Sequence, residues 1–141
     1  MKGDLTMNSD LKSKVAGMID HTLLKQDATE DAIKKLCQEA IDNKFCSVCI
    51  NPSYVPLCSE LLKGSSVKVC TVIGFPLGAT TTGSKVFEAD EAIKNGAQEV
   101  DMVVNGGKIK SGGLDYVTYV IAKLVEVDDG RALVKAITES W

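Results

Sequence analysis

Short runs of apolar and β-branched residues alternate along this chain with segments whose apolar residues recur every three or four positions. The short runs lie at residues 19–24, 47–51, 67–75, 98–105 and 132–139, and they read as strands. The segments between them have the periodicity of amphipathic helices. Strands that alternate with helices are joined by right-handed crossovers and lie parallel. The sequence therefore predicts an α/β fold with five parallel strands.

The predicted helices cover residues 10–18, the segment that follows Asp27, and residues 54–63, 84–95 and 114–127. In the second helix the apolar residues fall at i, i+3, i+4, i+7 and i+8: Ile33, Leu36, Cys37, Ala40 and Ile41. That spacing places them on one face of a helix. Asp27 and Glu30 stand at the spacing of a capping box, which predicts a helix start at Asp27. A short N-terminal helix and four connecting helices result.

Composition narrows the class of protein further. A length of 141 residues fits a single domain, residues 1–141, with a real core. The net charge of −3 gives no reason to expect nucleic acid or an anionic membrane as a partner. The sequence contains no apolar run near the ~20 residues that span a bilayer, and its polar start lacks the apolar centre of a secretory signal. The odd count of five cysteines is typical of reduced thiols, which predicts a cytoplasmic protein.

Two architectures accommodate five parallel strands. A doubly wound sheet, with strand order 2-1-3-4-5, would be complete at this length. A (β/α)8 barrel requires about 200 residues or more, so this chain would form only part of one, with strand order 1-2-3-4-5. The order of the strands in the sheet distinguishes the two architectures.

Polar residues interrupt the strands at alternate positions. Because successive side chains of a strand point to opposite faces, four of the strands present polar groups on one face: Asp20 and Thr22, Cys49 and Asn51, Asp101 and Asn105, and Lys135 and Glu139. We expect these groups near the C-terminal ends of the strands, where parallel α/β proteins bind ligands.

Asp101 is the most informative of these residues, since an ionised carboxylate in an apolar strand is costly unless it is paired. Lys135 would lie on the adjacent strand, close enough to pair with it. A carboxylate and an amine in an apolar pocket are suited to proton transfer. The alternative is a buried ion pair with a purely structural role.

Other short motifs are uninformative about chemistry. Cys46 and Cys49 are spaced by three, which points their thiols to opposite faces of a strand, and His21 is the only histidine. We therefore expect neither a redox pair nor a metal site. The glycines at residues 105–107 and 111–113 fit no nucleotide-binding motif and are predicted to lie in loops.

Four segments in order and at consistent spacing resemble the deoxyribose-phosphate aldolase family. They are residues 19–25 (IDHTLLK), 47–52 (SVCINP), 69–78 (VCTVIGFPLG) and 99–103 (EVDMV). The resemblance implies a (β/α)8 barrel and a Schiff-base aldolase that uses neither a metal nor a cofactor. Such an enzyme cleaves 2-deoxy-D-ribose 5-phosphate reversibly into acetaldehyde and D-glyceraldehyde 3-phosphate.

The same resemblance implies roles for individual residues. Asp101 stands at the position of the family's proton-relay aspartate, which makes it the candidate catalytic residue. Thr22 and Cys49 fall where the family lines the substrate pocket, with Asp20 nearby. Lys135 matches a lysine on the fifth strand that is not the Schiff-base residue in the family. We therefore predict that Asp20, Thr22, Cys49 and Lys135 bind the sugar phosphate.

The resemblance also implies a large departure. The family carries its nucleophilic lysine on the sixth strand, a partner lysine on the seventh, and its phosphate-binding segment on the seventh and eighth strands. This sequence contains five predicted strands, which predicts a C-terminally truncated member whose own activity is weak or absent. The alternative is a catalytically silent partial barrel that acts in assembly or ligand binding. In either case we expect a homo-oligomer that buries the open edges of the sheet.

Overall fold

The structure, a computed structural model, describes residues 2–138, with side chains from residue 8 onward. Five strands form one sheet: β1 (Asp20–Leu23), β2 (Ser47–Ile50), β3 (Lys68–Ile73), β4 (Glu99–Val103) and β5 (Leu133–Ile137). The α-helices are α1 (Lys2–Ala16), α2 (Glu30–Asn43), α3 (Val55–Leu61), α4 (Thr82–Lys94), α5 (Gly106–Lys110) and α6 (Leu114–Asp128). A short 3-10 turn, Pro52–Tyr54, precedes α3.

All neighbouring strands are parallel, and their order in the sheet is β1-β2-β3-β4-β5. This order confirms the prediction of a partial (β/α)8 barrel and excludes the doubly wound alternative. The register places Cys49 opposite Cys70 and Asp101 opposite Lys135. Alternate residues of adjacent strands therefore share one face of the sheet.

The main hydrophobic core lies between the sheet and the helices that cover its outer face. Its central side chains are fully buried and come from both layers: Ile33, Val48, Ile50, Val55, Ile73, Val100 and Leu124. The amphipathic pattern of α2 is confirmed, because Ile33, Leu36, Cys37 and Ala40 are all buried there. Burial of a large aliphatic side chain contributes about 1.5–3 kcal/mol, so this layer holds the helices to the sheet.

A second and smaller apolar cluster lies on the opposite, inner face of the sheet. It contains Cys49, Cys70 and Val72, with Leu24 and Ile137 packed against them. No helix of the described residues is long and apolar enough to cross a membrane.

Several predicted boundaries differ from the observed ones. Helix α2 begins after Thr29, whose hydroxyl accepts a hydrogen bond from the Ala32 amide at 3.3 Å, so the predicted start at Asp27 is wrong. Helix α1 extends further toward the N-terminus than residues 10–18, and its Leu11 and Val15 are exposed. The end of the predicted fifth strand, Glu139, lies outside the described residues.

The segment Gly106–Lys110 is a short helix, α5, where the glycines predicted a loop. The Asn105 side chain accepts a hydrogen bond from the Lys108 amide at 3.1 Å and so caps this helix. Asn105 therefore serves the backbone of the β4–α5 connection, and β4 ends at Val103. Glycine is a poor helix former, which explains why the sequence pattern pointed to a loop.

A buried lysine fastens the loop after β3 to the end of β4. Lys85 of α4 is only 1% exposed, and its ammonium donates to the carbonyl oxygens of Gly78 at 2.7 Å and Val103 at 2.8 Å. Burial lowers the pKa of Lys85, and the two carbonyl groups compensate part of the lost hydration. The loop 74–78 is thereby held against the C-terminal end of β4.

We predict that Gly78→Ala destabilises the fold by about 2–4 kcal/mol. Gly78 has φ +65, and a Cβ atom there would lie 2.2 Å from the Val104 carbonyl oxygen and 2.9 Å from Val103 Cγ1. Urea unfolding followed by circular dichroism measures the change. Gly64→Ala is the matched control, because Gly64 has φ +80 with nothing within 4 Å of the added atom. Equal losses in the two variants would contradict the close approach at Gly78.

Candidate active site

Lys135 lies at the centre of a cluster of carboxylates on the inner face of the sheet. Its ammonium nitrogen is 3.0 Å from Asp20 Oδ2, 2.9 Å from Glu99 Oε2 and 3.3 Å from Asp101 Oδ1. The predicted proximity of Asp101 and Lys135 is therefore present in the structure. The cluster brings together side chains of the first, fourth and fifth strands.

The contact between Lys135 and Asp20 shows that the sheet is strongly curved. The two residues belong to β5 and β1, which are the two ends of the described sheet. In a flat sheet four strand spacings would separate them by about 19 Å, further than a lysine side chain reaches. The inner face is consequently concave, as the interior of a barrel is.

Glu99 is the member of this cluster that sequence reasoning missed. Its side chain is buried, 4% exposed, and it contacts both Lys135 and, at 3.5 Å, Lys68. Glu99 precedes Asp101 by two positions and so lies on the same face of β4. That spacing was the available signal, but Glu99 is the first residue of its strand and resembled a boundary residue.

Hydrogen bonds fix the charge of Asp20. Ser47 donates its hydroxyl to Asp20 Oδ1 at 2.6 Å, and Lys135 donates to Oδ2. Burial alone would raise the pKa of Asp20, but these two hydrogen bonds outweigh it and lower the pKa below its ordinary value. Asp20 is therefore ionised at neutral pH.

The carboxylates in turn hold Lys135 in its charged form. Burial alone would lower the pKa of Lys135, whereas the hydrogen bonds to Glu99 and Asp20 raise it well above the ordinary value of an amine. An ammonium group has no free electron pair, so Lys135 acts as a cation in this cluster and not as a nucleophile.

Asp101 is the least satisfied member of the cluster. Its side chain is 15% exposed, and its Oδ1 atom is buried without a hydrogen bond among the described residues. The Lys135 ammonium, at 3.3 Å, supplies charge compensation but not a well-directed hydrogen bond. Leaving a buried acceptor unsatisfied costs about 1–3 kcal/mol, so the position of Asp101 is not explained by packing alone.

The two remaining predicted residues lie in different surroundings. Cys49 is buried beside Cys70, and the thiol groups and an Asp101 oxygen lie within 4.8 Å of one another. The neighbouring Cys49 thiol, together with burial, raises the pKa of Cys70. Thr22 is exposed, and its hydroxyl donates to the carbonyl oxygen of Asp20 at 2.8 Å. Thr22 thus faces the concavity and contacts the backbone of Asp20, with no hydrogen bond to a charged side chain of the cluster.

The charged cluster lies at the beginning and the middle of the strands, and not at their C-terminal ends as the sequence predicted. Asp20, Ser47 and Glu99 are the first residues of β1, β2 and β4, and Asp101 and Lys135 are the middle residues of β4 and β5. The expectation of a position near the C-terminal ends is therefore wrong for Asp20, Asp101 and Lys135. The barrel curvature lets the long Lys135 side chain reach residues at the start of other strands.

Comparison with known proteins places this arrangement in context. The family described as "DeoC/LacD family aldolase" matches residues 14–126. A deoxyribose-phosphate aldolase of Clostridium kluyveri is 57% identical over 129 residues, which are 92% of this chain and 59% of that protein. The chain therefore spans about three fifths of the length of this curated relative.

This chain also resembles part of several solved aldolase structures. Deoxyribose phosphate aldolase from Aeropyrum pernix, which is a tetramer, superposes with a TM-score of 0.80 at 34% identity over 89% of this chain and 52% of that chain. An aldolase named QR15 superposes with a TM-score of 0.82 at 38% identity, over 89% of this chain and 55% of that chain. The five strands of the present structure correspond to part of these barrels.

We predict that Lys135→Met destabilises the fold by about 1–3 kcal/mol at pH 7, because it leaves three carboxylates without their shared cation. Lys68→Met is the control. Lys68 is 50% exposed and contacts only Glu99 in this cluster, at 3.5 Å, so its loss costs less than about 1 kcal/mol. Chemical denaturation of both variants measures the difference, and equal losses would contradict the central role of Lys135.

The loss of stability that Lys135→Met causes depends on pH in a defined direction. Asp20 has a lowered pKa, so its stabilisation is present above its ordinary value of 3.8 and is lost as the pH falls through the lower folded value. Lys135 has a raised pKa, so its stabilisation is complete below 10.5 and is lost only at higher pH. We therefore expect the deficit of Lys135→Met to shrink below about pH 4, where carboxylates become protonated.

Proposed function

Because this chain belongs to the DeoC/LacD aldolase family, we propose that it forms, as one domain, the N-terminal portion of a deoxyribose-phosphate aldolase barrel. The reaction would be the reversible cleavage of 2-deoxy-D-ribose 5-phosphate into acetaldehyde and D-glyceraldehyde 3-phosphate. The observation that carries this proposal is the position of Asp101. Its carboxylate lies on the inner face, where the buried Oδ1 makes no hydrogen bond among the described residues and has the Lys135 ammonium 3.3 Å away.

Asp101 has the surroundings that a proton relay requires. A group that exchanges protons needs an open position toward the substrate and a fixed orientation. The adjacent Lys135 lies 3.3 Å from Asp101 Oδ1 and provides the orientation. The same Oδ1 makes no hydrogen bond among the described residues, so its acceptor capacity remains available. Asp20 and Glu99 complete the arrangement, because they hold Lys135 in place from its other sides.

Lys135 does not supply the Schiff base in this proposal. Imine formation needs a neutral amine, and the raised pKa keeps Lys135 protonated at neutral pH. Lys85 has a lowered pKa but is 1% exposed and bonded to two carbonyl groups. The nucleophilic lysine would therefore come from the part of the barrel that follows β5 in longer relatives.

The remaining predicted residues have supporting roles in this proposal. Thr22 is exposed to the concavity and is available to contact a small sugar phosphate. Cys49 is 3% exposed and contributes to the floor beneath that surface. The five cysteines are free thiols, which supports a reducing, cytoplasmic location.

We predict that the chain alone forms no stable adduct when it is incubated with acetaldehyde and reduced with borohydride. The protonated state of Lys135 is the physical reason. Mass spectrometry of the reduced protein measures the adduct. Stable labelling of Lys135 together with substrate cleavage would contradict the assignment of this lysine as a cation.

A complementation assay tests the activity itself. The remaining C-terminal part of the Clostridium kluyveri relative would be co-expressed with this chain, and cleavage of 2-deoxyribose 5-phosphate would be measured. We expect restored cleavage, with Asp101→Asn reducing turnover by about 10²–10⁴-fold. Asp31→Asn is the matched control, since Asp31 is 94% exposed. Equal activity of both variants in an active complex would contradict the role of Asp101.

A second candidate function is a catalytically silent partial barrel that acts in assembly or ligand binding. The observation that favours it is the incomplete cover of the inner face at its margin, where Leu24 and Ile137 are only partly buried and Leu133 is 53% exposed. Strands β1 and β5 end the described sheet and present unpaired edges. Apolar faces and free edges favour association with another polypeptide.

We therefore predict that the isolated chain forms a homo-oligomer that buries these edges. Multi-angle light scattering measures the mass, and a hydrophobic dye reports the exposed apolar surface. The oligomer should bind little dye. A monodisperse monomer without dye binding would contradict the prediction.

A further inference from the structure

Two thiols and a carboxylate converge on the inner face of the sheet. Cys49 and Cys70 stand opposite each other on β2 and β3, and Asp101 lies on β4. One ligand atom from each residue lies within 4.8 Å of the other two. Both cysteines are buried, at 3% and 0% exposure. The convergence is a consequence of strand register and was invisible in the Cys46–Cys49 spacing of the sequence.

Two features of this cluster point to a ligand. The Asp101 Oδ1 atom is buried and has no hydrogen bond among the described residues. The thiols beside it are weak hydrogen-bond donors and leave it poorly satisfied. A buried carboxylate oxygen next to two sulfur atoms is a donor set for a metal ion that prefers sulfur.

We propose that Cys49, Cys70 and Asp101 bind one soft divalent cation, of the Zn²⁺ or Cd²⁺ class, on the concave face of the sheet. Zinc–sulfur bonds of about 2.3 Å in tetrahedral geometry place two sulfur ligands about 3.8 Å apart. The observed spread, within 4.8 Å, requires only small side-chain adjustments. Each thiol gives its proton to the buffer as its sulfur–metal bond forms.

The charges of the surroundings also fit a divalent ion. Two thiolates and the Asp101 carboxylate carry three negative charges. A divalent cation neutralises two of them, and the Lys135 ammonium, which Asp20 and Glu99 share, lies beside the third. Lys135 lies 3.3 Å from Asp101 Oδ1 and, as an ammonium group, is not itself a ligand. The three protein ligands leave the fourth coordination position to a water molecule. That water reaches the metal from the concave face, past the partly exposed side chains of Asp101 and Lys135.

The other buried thiol pair provides a comparison within the same molecule. Cys37 and Cys58 lie between α2 and α3 with their sulfur atoms 3.7 Å apart, and both are fully buried. No third metal-ligating group of the described residues joins them in a cluster. Two thiols without a carboxylate and without access to solvent do not make a comparable site.

A bound cation would have a consequence for catalysis, which rests on the proposed function. The metal would bind the Asp101 oxygen that makes no hydrogen bond among the described residues and now faces Lys135, so this carboxylate would no longer exchange protons with a substrate. The cluster would then act as an inhibitory site at which soft metal ions stop the aldolase reaction. The binding itself does not depend on the reaction and is tested without it.

Titration of the reduced wild-type chain with Cd²⁺ tests the site, with the cadmium–thiolate charge-transfer absorbance as the readout. We expect one saturable equivalent. Cys49→Ser and Cys70→Ser should each weaken binding about 100-fold, and Asp101→Asn should weaken it about tenfold. Cys46→Ser and Cys58→Ser are the controls and should retain the wild-type signal. Absence of a saturable signal, or its loss in the controls and not in Cys49→Ser and Cys70→Ser, would overturn the proposal.

A measurement on the wild-type chain covers the case in which a variant fails to fold. Co²⁺ bound by two thiolates and a carboxylate should show tetrahedral d–d bands together with sulfur charge transfer. A spectrum without thiolate charge transfer would refute the site. Metal binding by a chain that remains inactive in the complementation assay would refute the proposed function alone. Restored cleavage that Cd²⁺ leaves unchanged would refute the inhibitory role alone.

Discussion

The contact between Lys135 and Asp20 is the interaction on which the shape of this molecule depends. It joins the first and last strands of the described sheet across its inner face, with nitrogen and oxygen 3.0 Å apart. Such a contact is geometrically impossible unless the sheet is curved. The curvature brings Glu99 and Asp101 around the same ammonium group. One lysine of β5 therefore contacts three carboxylates from two other strands, β1 and β4.

The two faces of the sheet use different physical means of stabilisation. The outer face buries aliphatic side chains against α2, α3, α4 and α6, and this apolar layer contributes most of the favourable energy. The inner face carries charged and sulfur-containing side chains over a small apolar cluster. Buried ion pairs are poor sources of net stability, since desolvation offsets much of their attraction. The apolar outer layer, and not these ion pairs, is therefore the main source of net stability.

Sequence reasoning was accurate where local patterns decide the outcome. The five strands follow from runs of β-branched residues, and the buried face of α2 follows from its helical periodicity. The predicted boundaries were wrong where a single hydrogen bond decides the start of a helix. Thr29 caps α2 in place of Asp27, and Asn105 starts a helix in a glycine-rich segment. Glu99 was missed because pattern analysis does not show which residue at the start of a strand is buried.

The sequence by itself determined the order of strands and helices, the family resemblance, and the presence of Asp101 and Lys135 on one face. These properties depend on residue type and on the two-residue repeat of a strand, which act locally. Only the tertiary structure decided that Asp20 reaches Lys135 and that the thiol of Cys49 lies beside that of Cys70. Both contacts depend on strand register and sheet curvature, which arise when the strands pack together and which no local pattern specifies.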